Sequence, residues 1–134
     1  MILCDTNIFI EIFRKNITIR SELEKIGIDN IIVSDVVKAE IFFGAKDKNE
    51  LLNIKKYLSI YPSLAILPDV SKMAVGFVES YCLSQKLNLP DALIAATAIF
   101  HNVELFTLNT KDFRFIPNLK LYQKMNVTKT ERMT

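Results

Sequence analysis

A chain of 134 residues, half of them hydrophobic and 24% charged, has the size and make-up of one globular domain with a core of its own. Its net charge of +2 neither marks a nucleic-acid binder nor excludes one. Part of the positive excess sits at the end, where Lys120, Lys124, Lys129 and Arg132 outnumber Glu131.

The chain opens with a short apolar run, Ile2–Cys4, that carries directly into Asp5. Residues 2–5 read as a buried strand. Residues 7–14 read as a helix, with Ile8/Ile12 and Phe9/Phe13 at i, i+4 spacing. A second helix is predicted over about 18–26, followed by an Asp29-Asn30 turn and a β-branched strand, Ile31–Val33. Ser34 or Asp35 is suited to cap the next helix, which runs to about Ala45. Another helix starts at Asn49 and ends before Tyr61-Pro62. Leu64–Leu67 reads as a third strand closed by Pro68, and a long helix from Asp69 or Ser71 reaches about Leu87. Pro90 falls in the first turn of the following helix, which ends near His101-Asn102. Glu104–Thr107 is a fourth strand, and Leu119–Tyr122 is a candidate fifth.

Strands alternate with helices, and the strands are continuous apolar runs rather than alternating ones. That pattern predicts an α/β fold with a parallel sheet buried on both faces. Three glycines and neither GxGxxG nor GxxxxGK[ST] speak against a phosphate-cradling nucleotide site. Cys4 and Cys82 lie far apart in apolar surroundings with no CxxC pair, which predicts two buried, reduced thiols in a reducing compartment. No apolar run approaches the roughly 18 residues of a membrane span, and the start lacks the basic lead of a signal peptide. A cytoplasmic protein without membrane association is expected.

Four acids stand where a core or a sheet edge is predicted. Asp5 ends the first strand, at the carboxyl edge where open parallel sheets place their sites; capping of the next helix is its plain alternative. Glu40, in DVVKAEIFFGA, shares a helical face with Val36, Val37 and Phe43, so its carboxylate is expected to be desolvated unless neutralised. Asp91, in PDALIAATAIF, suits a helix first turn electrostatically, yet shares a face with Ile94 and Ala95 and is expected to point toward the sheet. Asp112, in TLNTKDF, follows the fourth strand, where turn-forming residues equally predict a simple loop. Four such carboxylates without a counter-charge would repel one another, a conflict that hard divalent cations with oxygen ligands resolve. A metal held this way also lets acids receive a phosphodiester.

In order and spacing, LCDTNIFIE, VSDVVKAEIFFGA and LPDALIAATAIFHNVELFTLNTKDFRFIPNLKLY resemble the PIN-domain ribonucleases, in particular the VapC toxins of type II toxin–antitoxin pairs. The resemblance covers about residues 1–122, leaving 123–134 as a tail expected to be mobile. It implies a three-layer α/β/α sandwich around a parallel sheet of four to five strands. It implies a Mg²⁺- or Mn²⁺-dependent endoribonuclease that leaves 5′-phosphate and 3′-hydroxyl ends, with Asp5, Glu40, Asp91 and Asp112 as catalytic and metal-binding acids. Asn7, Thr107 and Asn109 match supporting polar positions. An RNA substrate, a homodimer and a VapB-type antitoxin complete what the likeness implies. An inhibitory basic side chain of the antitoxin would compete with metal for the acids.

The chain departs from the family's commonest pattern at two positions, the second of which removes a candidate phosphate contact. Cys4 replaces a usual aliphatic residue, and Leu108 stands where a basic residue is common. Arg14, Lys15, Lys46, Lys111 and Arg114 are the remaining nearby cations, each more readily read as a solvated surface charge. His101, the single histidine, falls at a helix end, which suits a cap better than a catalytic base. Phe42, Phe43, Tyr57, Phe77 and Tyr81 are suited either to the core or to a two-fold interface. Two other readings are weighed: a binding-only PIN scaffold, and a phosphoacceptor signalling module. The latter lacks an acid pair before Asp5 and a lysine after the last core strand.

Overall fold

The computed structural model describes residues 1–124, so the expected tail lies, from residue 125 onward, outside the described residues. Its strands are β1 (Ile2–Cys4), β2 (Ile31–Ser34), β3 (Ser63–Leu64) and β4 (Glu104–Phe106). Its helices are α1 (Thr6–Phe13), α2 (Ile17–Ile26), α3 (Asp35–Phe43), α4 (Lys48–Leu58), α5 (Pro68–Gln85) and α6 (Leu89–Phe100). The strands form one parallel sheet in the order β3-β2-β1-β4, with Leu3 opposite Ile32 on one side and Leu105 on the other. This is the expected α/β/α arrangement, with the helices flanking the sheet.

β1 sits centrally and is wholly buried, as continuous apolar strands of parallel sheets are. Asp5 accepts from the Thr6 N–H and so caps α1, while Ser34, rather than Asp35, caps α3 through the Val37 N–H. Asn88 caps α6, whose Ala92, Ala95, Ala96 and Ala98 are fully buried; these small side chains let α6 pack closely, α5 being a principal neighbour.

Three expectations change. The third strand is Ser63–Leu64, not Leu64–Leu67: it pairs with Val33 and Ser34, and beyond Ser34 its partner has already become α3. Pro68 then becomes the first residue of α5 instead of a terminator. The fifth strand shrinks to a single parallel bridge between Leu105 and Leu121, held by Leu105 N–H to Lys120 O and Tyr122 N–H to Leu105 O, each 2.8 Å. Cys4 is buried, and burial pushes its thiol up, but Cys82 is exposed. α5 buries Val70 and Ala74, whereas Cys82 lies two turns beyond Val75 on its outer face. Among the described residues no helix is long and apolar enough to cross a membrane.

Candidate active site

β1 delivers Asp5 to the sheet's carboxyl edge, where it is 5% exposed. Both its oxygens are engaged: Oδ1 accepts from the Thr6 N–H at 2.7 Å and Oδ2 from the Thr107 hydroxyl at 2.8 Å. Thr107, just past β4 and itself buried, receives hydrogen bonds from the Asn7 side-chain amide at 3.3 Å and the Asn109 N–H at 3.1 Å. Asn7 accepts in turn from the Leu108 N–H at 3.2 Å. The three polar residues singled out in the sequence therefore form one network behind Asp5. β1 and β4 being sheet neighbours brings together residues some 100 positions apart.

Asp91 lies half-buried in the first turn of α6. Burial, then the charges of Asp5, Glu40 and Asp112, pushes its carboxyl from 3.8 up to about 6. Asp5 is raised as well, chiefly by burial; its bonds from Thr107 and Thr6 oppose this, while Glu40 and Asp112 add to it. All four predicted acids thus act on one region. They differ in setting: Asp5 is buried, Asp91 half-buried, and Glu40 and Asp112 exposed.

The exposure of Glu40 corrects the expectation of a carboxylate desolvated on an apolar face. α3 buries Val36, Val37 and Ile41; at about 100° per residue Glu40 falls between Val36 and Val37 around the helix axis but opens onto a groove, and Phe43 turns well away from Val37. Phe43 is accordingly 83% exposed, outside the core. Glu40 lies on a groove of about 700 Å³ also lined by Ile10, Phe13, Arg14, Lys46 and Tyr57. A larger groove of about 820 Å³, with Lys15, Arg20 and Tyr61 among its lining, contains none of the four acids.

No basic side chain neutralises the cluster: the ion pairs among the described residues are Arg14–Glu11 and Arg20–Glu24. Nor do three His, Cys, Asp or Glu side chains there form a ready-made cage for a metal ion. Lys111 and Arg114 are exposed on either side of Asp112, and Leu108 is 43% exposed. His101 caps the far end of α6, ten residues and about 15 Å from Asp91 along the helix. Its Nε2 is buried without a partner among the described residues.

One residue of the site escaped the sequence reading. Thr6 donates its hydroxyl to Glu40 Oε1 at 2.8 Å. A hydroxyl directly after a strand-end acid was the only signal, and the partner 34 residues away is invisible to local pattern.

Comparison with known proteins agrees with this arrangement. The family model for the PIN domain matches residues 2–118. A ribonuclease VapC of Rickettsia bellii is 29% identical, the match covering 90% of this chain and 93% of the relative. Ribonuclease VapC2 of Rickettsia felis is 34% identical over 87% of this chain and 92% of its own length. Among solved structures, a toxin–antitoxin complex from Klebsiella pneumoniae superposes with a TM-score of 0.77 at 33% identity, covering 93% of this chain and all of that one. The VapBC2 structure from Rickettsia felis, bound to a DNA fragment from its promoter, gives 0.76 at 28% identity, covering 91% of this chain and 98% of that one. With four acids at one sheet edge and relatives matched over nearly their whole length, the chain belongs to the PIN-domain family, among its VapC-type ribonuclease toxins.

Proposed function

We propose that this chain is a Mg²⁺- or Mn²⁺-dependent endoribonuclease, the toxin of a toxin–antitoxin pair, with Asp5, Glu40, Asp91 and Asp112 as its metal-binding acids. The observation that carries the reading is the pressure on Asp91: a half-buried carboxyl pushed up to about 6 by burial and by three further acids, with no cation paired to it among the described residues. The donor set fits a hard divalent ion by its chemistry, all carboxylate oxygen. Mg²⁺ is commonly held by one or two carboxylates, waters and the substrate's own phosphate, so its binding does not require three of the acids to form a closed cage.

When bound, such a cation offsets the repulsion between the acids and a phosphodiester and lowers the pKa of a coordinated water. The chain's own contribution is orientation. Thr107 and the Thr6 N–H fix Asp5, and Asn7 and Asn109 fix Thr107. An oxygen–phosphorus bond forms from water as the bond to the 3′-oxygen breaks; that oxygen leaves with a proton, giving 5′-phosphate and 3′-hydroxyl ends. The single histidine, at the opposite end of α6, is not placed to serve as base for 2′-hydroxyl attack. Arg14 and Lys46 beside Glu40, and Lys111 and Arg114 beside Asp112, are available to a phosphate backbone. A single-stranded segment suits so acidic a centre, because its backbone is accessible. The complexes formed by the Klebsiella and Rickettsia relatives support a VapB-type antitoxin as partner. A homodimer in the cytoplasm completes the reading.

Purified protein is expected to cut cellular RNA into discrete fragments with Mg²⁺ or Mn²⁺, and not with EDTA. Asp5→Asn should abolish cutting while circular dichroism stays unchanged, because the isosteric amide keeps an oxygen for the Thr6 N–H cap and gives up only acceptance from the Thr107 hydroxyl. Wild-type cleavage by Asp5→Asn sinks the assignment. Absence of both cleavage and Mn²⁺ binding in folded, antitoxin-free protein supports the binding-only scaffold instead.

A further inference from the structure

We infer that Thr6 is a positioning residue that joins two of the acids into one unit, its hydroxyl setting where Glu40 points. The inference rests on the metal-dependent reading of the site above. Thr6 touches both carboxylates at once: its N–H donates to Asp5 Oδ1 at 2.7 Å and its hydroxyl to Glu40 Oε1 at 2.8 Å. Asp5 has a second donor in Thr107; the Glu40 carboxylate has no other hydrogen-bond donor among the described residues and no ion pair there. Glu40 is also exposed, so packing does not hold its long side chain in one rotamer.

The geometry makes the hydroxyl effective. Thr6 is the first residue of α1, fixed by the Asp5 cap and directly bonded to the buried β1 end. Its branched Cβ restricts χ1, so the hydroxyl is presented in few directions. The bond crosses from α1 to α3, two helices that pack on each other. A rigid donor on the buried side therefore orients a mobile acceptor on the exposed side, leaving Glu40 Oε2 available to a cation. Residues that orient ligands in this way typically change metal affinity or activity 10–100-fold when lost.

Thr6→Val separates the two bonds, keeping the backbone N–H and the side chain's shape while deleting the hydroxyl. In full-length protein it is expected to weaken Mn²⁺ binding, measured by calorimetry, about 10-fold and to slow RNA cleavage about 10–100-fold, with the unfolding midpoint near that of the wild type. Thr6→Ser should restore both to within about threefold. In a Glu40→Gln background, Thr6→Val should weaken Mn²⁺ binding no further, because its effect runs through the Glu40 carboxylate. Wild-type Mn²⁺ affinity in Thr6→Val, equal losses in Thr6→Val and Thr6→Ser, or a full additional loss in the Glu40→Gln background would each overturn the positioning role. Each of those results leaves the nuclease reading standing as long as the wild type binds metal and cuts RNA. A wild type that does neither overturns both.

Discussion

Asp91 stands half-buried in the first turn of α6 with three other carboxylates acting on it. Its folded value of about 6, against an ordinary 3.8, means that between those values the folded chain holds a proton the unfolded chain has released. Stability of the metal-free protein should therefore fall as pH rises from about 4 to about 6, then level off. The sign is opposite to that of a salt-bridged acid, whose ionised form favours the fold. Asp91→Asn removes the penalty while giving up some helix-dipole attraction for the charge. The net expectation is a gain on the order of 1 kcal/mol at pH 7.5 and a flatter profile between pH 4 and 6, read by thermal melts in EDTA. A destabilised Asp91→Asn would mean that the carboxylate is satisfied as it stands. Gained stability together with lost cleavage would mark Asp91 as a residue kept for chemistry at the fold's expense.

Elements with strong local signals were legible, and those decided by distant partners were not. The apolar β1 and β2 runs, the Ala-rich α6 and the Pro90 start need only neighbours in sequence, and each stands within a residue or so of its expected bounds. β3 was misplaced because its length is set by where β2 turns into α3, and Cys82 because one face of α5 meets no other element among the described residues. Phe43 and Glu40 show the same limit: the run Ile41–Phe43 and the acid before it do not reveal which of these residues the core leaves exposed. At the site, Asp5, Asp91 and Asp112 could be named from their positions at strand and helix ends and Glu40 from its place on an apolar helical face, whereas the Thr6 bond to Glu40 depends on how α1 and α3 cross. A second long-range pair was equally hidden. Tyr122 donates its hydroxyl at 2.6 Å to Glu22, which is 2% exposed, and its ring packs on Phe106. This contact fastens the last described strand-like segment to α2 and the sheet. Burial and the Glu22 carboxylate push the Tyr122 phenol up, so it stays a donor across the useful pH range. Tyr122→Phe keeps the ring contact and loses the bond. Since Glu22 has other interactions, the expected cost is about 1.5 kcal/mol, at the low end for a bond to a charged group, with cleavage retained. Denaturant unfolding of the variant checks the first figure and an RNA assay the second.

Across the whole molecule the net charge of +2 hides a division. Four acids gather at the carboxyl edge of the sheet, while Arg14 and Lys46 flank the groove beside Glu40 and Lys111 and Arg114 flank Asp112. Such a layout draws a polyanion to the rim and repels it from the centre, unless a cation occupies the centre. The same repulsion burdens the fold itself, so a cation that relieves it must also stabilise the native state. Mn²⁺ at about 100 times its dissociation constant should add about 2.7 kcal/mol, seen as a concentration-dependent rise in the thermal midpoint. The rise should be smaller at pH 5.5 than at pH 7.5, because near pH 6 and below the ion must displace the proton on Asp91. It should vanish in Asp5→Asn. A midpoint that rises equally at both pH values, or that persists in Asp5→Asn, would place the ion elsewhere on the surface and separate metal binding from the four acids. A rise confined to the higher pH and to the intact acid set would tie the ion, the proton and the fold to one site, since only a group shared by all three couples them.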